Sequence, residues 1–273
     1  DEADFAARPR YTEPEILRAS LANVVLRMLS LGLGDIARFP FLERPEERAI
    51  NEGISQLVEL GAIGEARHEL TALGRDMARI PIDAKLARML IAAQQHGAAR
   101  ELLIIASFLS IQDPRERPAD AKQAADLAHA QFGDPKSDFV AVLKLWEAYS
   151  TAHEDLTQSK LRDWCENQFL SFLRMREWRE LHRQLRVLGD ELGWRLNSEA
   201  ASFEALHRAL LSGLPANLAR KDEKGQYQGT RGKRYGIFPG SFVAKAPPLW
   251  LLSATLLDTQ KLYAIMNARI EPE

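Results

Sequence analysis

The chain has 273 residues and a formal net charge of −2, which excludes a globally basic nucleic-acid binder, so any such role must come from a local patch. Its 46% hydrophobic and 27% charged residues exclude an intrinsically disordered protein, and its single cysteine excludes an internal disulfide or a cysteine-based zinc finger. The longest strongly apolar stretch, residues 102–109, is too short to cross a bilayer. We therefore expect a cytoplasmic protein without a membrane partner. Because the sequence does not begin with methionine, we also expect a fragment of a longer protein.

Residues 1–80 are predicted to form a winged-helix-like domain. Thr12 and Glu15 have the spacing of a capping box ahead of an apolar stripe with helical period, and Gly32 follows its last residues. A second helix, a short hairpin and a third helix come next, which is the typical order of this motif. The expected elements are helices at 13–31, from Pro45 to Gly61 and at 73–78, with strand candidates at 62–63 and 68–71.

Residues 81–194 are predicted to form a helical bundle. The stretch 102–109 is apolar on all sides, so its helix is expected to lie buried in the middle of the bundle. A charged, proline-containing loop is expected at 113–120. The expected helices are 83–97, 102–109, 121–132, 138–152, 159–174 and 175–188.

Residues 195–273 are predicted to form an OB-type barrel, preceded by one more helix at 199–211 with Ser198 as its N-cap. Beyond that helix the apolar period changes to two, and turn residues separate five short segments. Five short strands in succession are typical of an OB barrel. The expected strands are 216–221, 226–231, 234–238, 250–258 and 262–270. The predicted fold class is therefore mainly α with a C-terminal β-barrel.

The sequence predicts no catalytic residue, metal ligand or cofactor site in this chain. Residues 1–4 spell DEAD, a helicase string that holds Mg²⁺ and activates water, but no buried strand or phosphate-binding loop precedes it, so we interpret it as an exposed acidic terminus. The pattern G-x-x-x-x-G-K-[ST] does not occur. The six histidines lack metal-ligand spacing. Cys165 lies on a helical stripe beside Trp164 and is interpreted as a buried structural thiol.

Basic residues concentrate in two regions, in contrast to residues 1–70, which are acidic and predicted to be a poor nucleic-acid reader. One is the helix around Met175, and the other is the segment 220–245, where Tyr227 and Tyr235 interleave with the cations. Cations that follow a backbone, with aromatic rings that stack on bases, are typical of single-strand binding on an OB surface. A solvated charged face is the open alternative. The candidate nucleic-acid-binding residues are Arg174, Arg176, Arg179, Arg183, Lys221, Tyr227, Arg231, Lys233 and Arg234.

Short phrases along the whole chain, together with the predicted order of domains, point to a family. The phrases are Phe5-x-x-Arg8-Pro9, Leu31-Gly32-Leu33-Gly34-Asp35-Ile36, Phe39-Pro40-Phe41, Leu60-Gly61-Ala62-Ile63, Ser110-Ile111-Gln112-Asp113-Pro114-Arg115-Glu116-Arg117-Pro118, Arg176-Glu177-Trp178 and Ile237-Phe238-Pro239-Gly240-Ser241. In these phrases the chain resembles the C-terminal region of bacterial HrpA-type DEAH-box ATP-dependent RNA helicases.

The resemblance implies a division of labour within a longer protein. In the family, RecA-like domains that precede residue 1 would bind ATP and Mg²⁺ and drive movement along RNA in the 3′-to-5′ direction. The winged helix would dock on the second RecA-like domain, and the bundle, called the ratchet domain, would form the far wall of the RNA channel. The barrel would contact the RNA backbone. The implied partners are single-stranded RNA, the RecA-like domains of the same chain and a protein activator.

Two functions stay open on the sequence alone. The first is the accessory, non-catalytic half of an ATP-dependent RNA helicase. The alternative is a stand-alone RNA- or protein-binding adaptor without ATP-linked activity. The coding sequence upstream would distinguish them, because a helicase needs phosphate-binding and arginine-finger motifs there.

Overall fold

The structure, a computed structural model, describes residues 20–64 and 69–271. The chain divides into two compact units, 1–84 and 85–273. The described residues are mainly α-helical, with a closed five-stranded β-barrel near the C-terminus, which confirms the predicted fold class. None of the described helices is both long enough and apolar enough to span a membrane. The domain boundaries expected near residues 80 and 194 stay predictions.

The first unit contains three described helices, α1 (Ala22–Ser30), α2 (Glu47–Glu59) and α3 (Ala72–Ala78). The apolar side of α1 is buried, as its helical period predicts. Where the structure describes the expected hairpin, Ile63 and Leu70 form an isolated antiparallel bridge. The expected capping box before α1 and the DEAD string lie outside the described residues.

Thr71 fixes the start of α3, because its Oγ1 accepts the backbone N–H of Gly74 at 3.0 Å. Glycine is required three residues later: a Cβ at Gly74 would lie 1.9 Å from the carbonyl oxygen of Ala62. The close approach of α3 to the chain after α2 therefore depends on a missing side chain.

Helices make up the first part of the second unit. They are α4 (Ala84–His96), α5 (Ala99–Leu109), α6 (Lys122–Ala130), α7 (Asp138–Asp155), α8 (Gln158–Asn167), α9 (Phe172–Glu191) and α10 (Phe203–Gly213). α5 is buried from Leu102 to Phe108, which confirms the prediction of a central helix. Trp178 of α9 packs on it, and its Nε1 donates to the carbonyl of Ile104 at 3.0 Å.

Two expected helix boundaries differ from the structure by four residues or more. The helix expected at 159–174 ends at Asn167, because Phe169 adopts a left-handed conformation with φ of +52° before α9 begins. The helix expected from Ser198 begins only at Phe203, because the side chain of Ser202 accepts the N–H of Ala205 and acts as the N-cap.

The barrel has the strands β1 (Leu218–Lys221), β2 (Tyr227–Gly229), β3 (Arg234–Ile237), β4 (Trp250–Asp258) and β5 (Leu262–Ile270). They close in the order β1-β2-β3-β5-β4, with β3 and β5 parallel and the other pairs antiparallel. All five lie within the segments expected to be strands. The barrel core consists of Ala219, Tyr227, Tyr235, Val243, Leu251 and Ala264.

One buried carboxylate joins the helices to the barrel. Asp138, at the first turn of α7, accepts hydrogen bonds from Ser241 Oγ at 2.6 Å, from the N–H of Phe242 at 2.9 Å and from the N–H of Asn267 at 2.8 Å. These donors belong to the β3–β4 connection and to β5. The bundle and the barrel are thus linked through hydrogen bonds to a side chain that is only 3% exposed.

Candidate nucleic-acid interface

The long helix α9 presents a row of arginines to solvent. Arg176, Arg179, Arg183 and Arg186 are exposed and follow one another at intervals of three or four residues. Side chains at these intervals are neighbours on one side of a helix. The opposite side of α9 is buried in the bundle. We call these four residues the α9 basic face.

The neighbouring helix α8 adds a cation to this face. The guanidinium carbon of Arg162 lies 5.2 Å from the centre of the Phe172 ring, and that of Arg176 lies 5.8 Å from the same ring. Both distances are within the range of a cation–π contact. The shared ring holds the two guanidinium groups near each other at the start of α9.

The α9 basic face is only partly neutralised. Arg183 Nη2 lies 2.6 Å from Glu180 Oε1, and hydrogen bonds from Arg183 and Gln184 lower the pKa of Glu180 to about 2. Arg176, Arg179 and Arg186 form no ion pair within the described part of the chain. These three arginines are therefore the unpaired positive charges of the face.

Arg174, the fourth arginine expected in this cluster, does not join it. It is half-buried on the other side of the helix, and its Nη1 donates to the carbonyl of Asp113 at 3.2 Å. The contact ties α9 to the charged loop that follows α5. Arg174 is thus placed for a structural contact and not beside Arg176, Arg179 and Arg183.

Strand register brings a second group of polar side chains into line on the outside of the barrel. Arg220 of β1 pairs with Trp250 of β4 on one side and with Gln228 of β2 on the other, and Gln228 pairs with Arg234 of β3. Directly opposite residues place their Cβ atoms about 5 Å apart on the same face of a sheet. Arg220, Gln228 and Arg234 are exposed and Trp250 is half-exposed. We call this line the outer row.

The remaining cations expected in the barrel lie around this row. Lys233 is exposed immediately before β3. Arg231 lies in the turn Thr230–Gly232, with its side chain outside the described part of the structure. Lys221 pairs with Tyr227 across β1 and β2, so it shares the side of the core residues and is half-buried at the barrel end.

The interpretation of Tyr227 as a base-stacking residue needs correction. Tyr227 is 1% exposed and lies in the barrel core, where its hydroxyl donates to the carbonyl of Pro248. Burial raises its pKa to about 12. Tyr235 is buried in the same core. The two tyrosines alternate with the cations because the cations face outward and the tyrosines face inward.

The lone thiol is placed as the sequence predicts. Cys165 is fully buried, and burial raises its pKa to about 11, so it is a protonated structural side chain and not a nucleophile. Among the described residues there is no group of three or more His, Cys, Asp or Glu side chains that could hold a metal ion.

Five side chains of the interface were not among the candidate binding residues predicted from sequence: Arg162, Arg186, Arg220, Gln228 and Trp250. Of these, Arg186 and Arg220 lie in the two basic regions. Gln228 and Trp250 emerge only from the strand register, which composition and period do not determine. Arg162 emerges from the packing of α8 against the start of α9. The available signal was limited to alternation: residues of one strand that differ by two positions share a face.

Three family models match the chain in succession. "Helicase associated domain (HA2), winged-helix" matches residues 53–82, and "Helicase associated domain (HA2), ratchet-like" matches residues 83–142. "Oligonucleotide/oligosaccharide-binding (OB)-fold" matches residues 206–273. Their order agrees with the order of the helical unit, the bundle and the barrel.

Curated relatives match along the entire chain. The "ATP-dependent RNA helicase HrpA" of Escherichia coli is 47% identical over 277 residues, covering 100% of this chain and 21% of the relative. The "ATP-dependent RNA helicase HrpA homolog" of Haemophilus influenzae is 45% identical over 280 residues, with the same coverage. The chain thus spans about a fifth of the length of these relatives.

Proposed function

This chain belongs to the HrpA helicase family and carries its helicase-associated winged-helix, ratchet-like and OB domains, and on that premise we propose that it is the accessory, RNA-contacting part of an ATP-dependent 3′-to-5′ RNA helicase. ATP and Mg²⁺ would bind the RecA-like domains of the parent protein. The whole-length similarity to HrpA supports this function over a stand-alone adaptor.

One observation carries the RNA contact. A chain of net charge −2 concentrates unpaired, exposed arginines on the α9 basic face and along the outer row. Such charges bind a nucleic-acid backbone by displacing its condensed counterions, without reading sequence. The ring of Trp250, half-exposed at the end of the outer row, can stack on an unpaired base. Single strands offer such bases, whereas duplexes do not. Single-stranded RNA is the partner that fits both features.

The first unit supplies the surface that supports docking on a RecA-like domain. Leu31, Leu33 and Leu42 are exposed, at 62%, 48% and 106%, in the same stretch of sequence as the paired rings of Phe39 and Phe41. Exposed apolar side chains gathered in one short segment mark a protein contact more often than a free surface. We assign them to the RecA-like domains of the same parent chain, and the activator protein stays a proposed partner without a site.

The RNA contact is tested by charge reversal in the barrel. Lys233→Glu with Arg234→Glu should weaken the binding of fluorescein-labelled single-stranded RNA at least tenfold at low salt, because two attractive contacts become repulsive. The wild-type dissociation constant is expected to be about micromolar or weaker, as for sequence-independent binding. Blunt duplex RNA of equal length should compete poorly.

The matched control reverses two charges of opposite sign in the first unit. Glu46→Lys with Glu47→Lys changes two exposed glutamates at the start of α2 and should not weaken RNA binding. Unchanged affinity in the barrel variant would contradict the proposal and leave this surface as a solvated charged face.

A further inference from the structure

We propose that a cavity beside the barrel takes one unpaired base of the bound RNA strand. The inference rests on the proposed function, because the strand must first follow the outer row. The cavity has a volume of about 980 Å³ and opens between α10 and the strands β1, β4 and β5. This volume is typical of sites for small organic ligands. Its apolar lining consists of Phe203, Leu211, Leu218, Trp250 and Ile270.

Phe203 offers an aromatic surface inside this cavity. It is the first residue of α10 and is 40% exposed. One face of its ring is stacked on His207, with ring centres 3.8 Å apart and planes inclined by 24°. The exposed fraction leaves the ring open to a further layer, which a flat base can supply.

The partner ring of this stack is held in one neutral form. The Nδ1 of His207 lies 2.6 Å from the carbonyl oxygen of Phe203, and since a carbonyl only accepts, Nδ1 carries the proton. Burial lowers the pKa of His207 to about 4, so at neutral pH its Nε2 is unprotonated and accepts from Ser137 Oγ at 2.8 Å. Both ring nitrogens are occupied, so His207 supports Phe203 as a fixed and uncharged platform.

Trp250 connects the cavity to the RNA path. It lines the cavity and is also the last member of the outer row, directly opposite Arg220 in the neighbouring strand. A strand whose phosphates contact Arg220 and Arg234 therefore reaches the cavity mouth at Trp250. Continuity between a cationic track and an aromatic pocket favours a nucleotide as the occupant.

The charges at the rim agree with this occupant. Arg208 pairs with Glu204, and Arg269 pairs with Glu271. Lys136 is exposed and forms no ion pair within the described residues. A base in the cavity would place its own phosphate outside the apolar lining, within reach of a free ammonium at the rim.

The experiment combines a protein variant with a modified RNA. A short oligouridine is prepared with a single abasic position moved along its length, and its affinity for the full 273-residue chain is measured by fluorescence anisotropy. At one position the abasic residue should weaken wild-type binding about tenfold, as expected for the loss of one stacked base. The substitution Phe203→Ala should weaken the binding of the intact RNA by a similar factor.

The decisive result is the combination of the two changes. If the base stacks on Phe203, the Phe203→Ala variant should bind the RNA that is abasic at that position as tightly as it binds the intact RNA. Phe238→Ala is the matched control, because Phe238 has the same 40% exposure but does not line the cavity. It should retain the dependence on that base. A thermal melt followed by circular dichroism confirms folding, and Phe203→Leu, which keeps apolar bulk without stacking, should repeat the loss.

The outcomes separate this inference from the function on which it rests. Wild-type chain that fails to bind single-stranded RNA overturns both. RNA binding that depends on Arg234 but is indifferent to Phe203→Ala and to every abasic position overturns the base pocket alone. A protein segment would then be the alternative occupant of the cavity, because its binding there would not make RNA affinity depend on Phe203.

Discussion

Asp138 is a residue whose side chain links the bundle to the barrel through three hydrogen bonds. Burial raises its pKa, and the three donors from Asn267, Ser241 and Phe242 oppose that effect by stabilising the charged form. Asp138→Asn would direct an N–H₂ group at one or more of these donors and leave them unsatisfied. We expect the free energy of unfolding to fall by about 2–3 kcal/mol, measured by urea denaturation.

The control for this change is Asp126→Asn. Asp126 is an exposed carboxylate that pairs with Arg117 at 2.6 Å, and surface pairs of this kind contribute at most about 1 kcal/mol. An Asp138→Asn variant that is as stable as the Asp126→Asn variant would show that the buried carboxylate is replaceable.

Two histidines, the buried His207 and the half-buried His182, make the stability of the chain depend on pH. Burial lowers the pKa of His182 and of His207 to about 4, below the value of about 6.5 expected in the unfolded chain. As the pH falls through this interval the unfolded state binds more protons, so the free energy of unfolding decreases. Each histidine contributes a loss of about 3 kcal/mol when the interval is crossed completely.

Replacement of one histidine should therefore flatten the profile. His182→Gln removes a titrating ring that packs 4.6 Å from Trp146, and its stability should fall less than that of wild type between about pH 7 and about pH 4.5. Urea denaturation at both pH values measures this. The exposed His96 is the control, and His96→Gln should keep the wild-type profile. An unaltered slope in His182→Gln would mean that other groups govern the acid sensitivity.

At the scale of elements, periodicity predicted the strands and most helices but could not predict every boundary. The apolar stripe continues across the junction of α8 and α9, so periodicity could not predict that Phe169 adopts a left-handed conformation there. Alternation identified the strands of the barrel but not which side faces the core. Tyr227 was therefore assigned to the wrong face, while Trp250 and Gln228 became visible only through the register.

The arginines of α9 should separate into two classes in a binding experiment. Arg176→Glu with Arg179→Glu reverses two of the three unpaired charges of the α9 basic face and should weaken binding of single-stranded RNA at least tenfold. Arg174→Ala changes a half-buried side chain bonded to the carbonyl of Asp113 and should leave RNA affinity within about twofold. Equal losses in both variants would mean that the α9 basic face does not act as a unit.

At the scale of the whole molecule, we assign the chemistry of ATP to the rest of the parent protein. The sequence contains no phosphate-binding loop pattern. The purified 273-residue chain should therefore release no phosphate from ATP above background, with or without single-stranded RNA, in a phosphate-release assay. RNA-stimulated hydrolysis by this chain would contradict the division of labour.

The central claim is that two cationic surfaces hold the RNA backbone, and the salt dependence of binding tests it most directly. Each phosphate contact contributes about 0.7 to the slope of log K against log salt for a single strand. Arg220→Glu with Arg234→Glu in the outer row, or Arg176→Glu with Arg179→Glu on α9, should each reduce the slope by about 1.4. The slope should stay unchanged in the Glu46→Lys, Glu47→Lys control. Slopes equal to wild type in both arginine variants would contradict the claim.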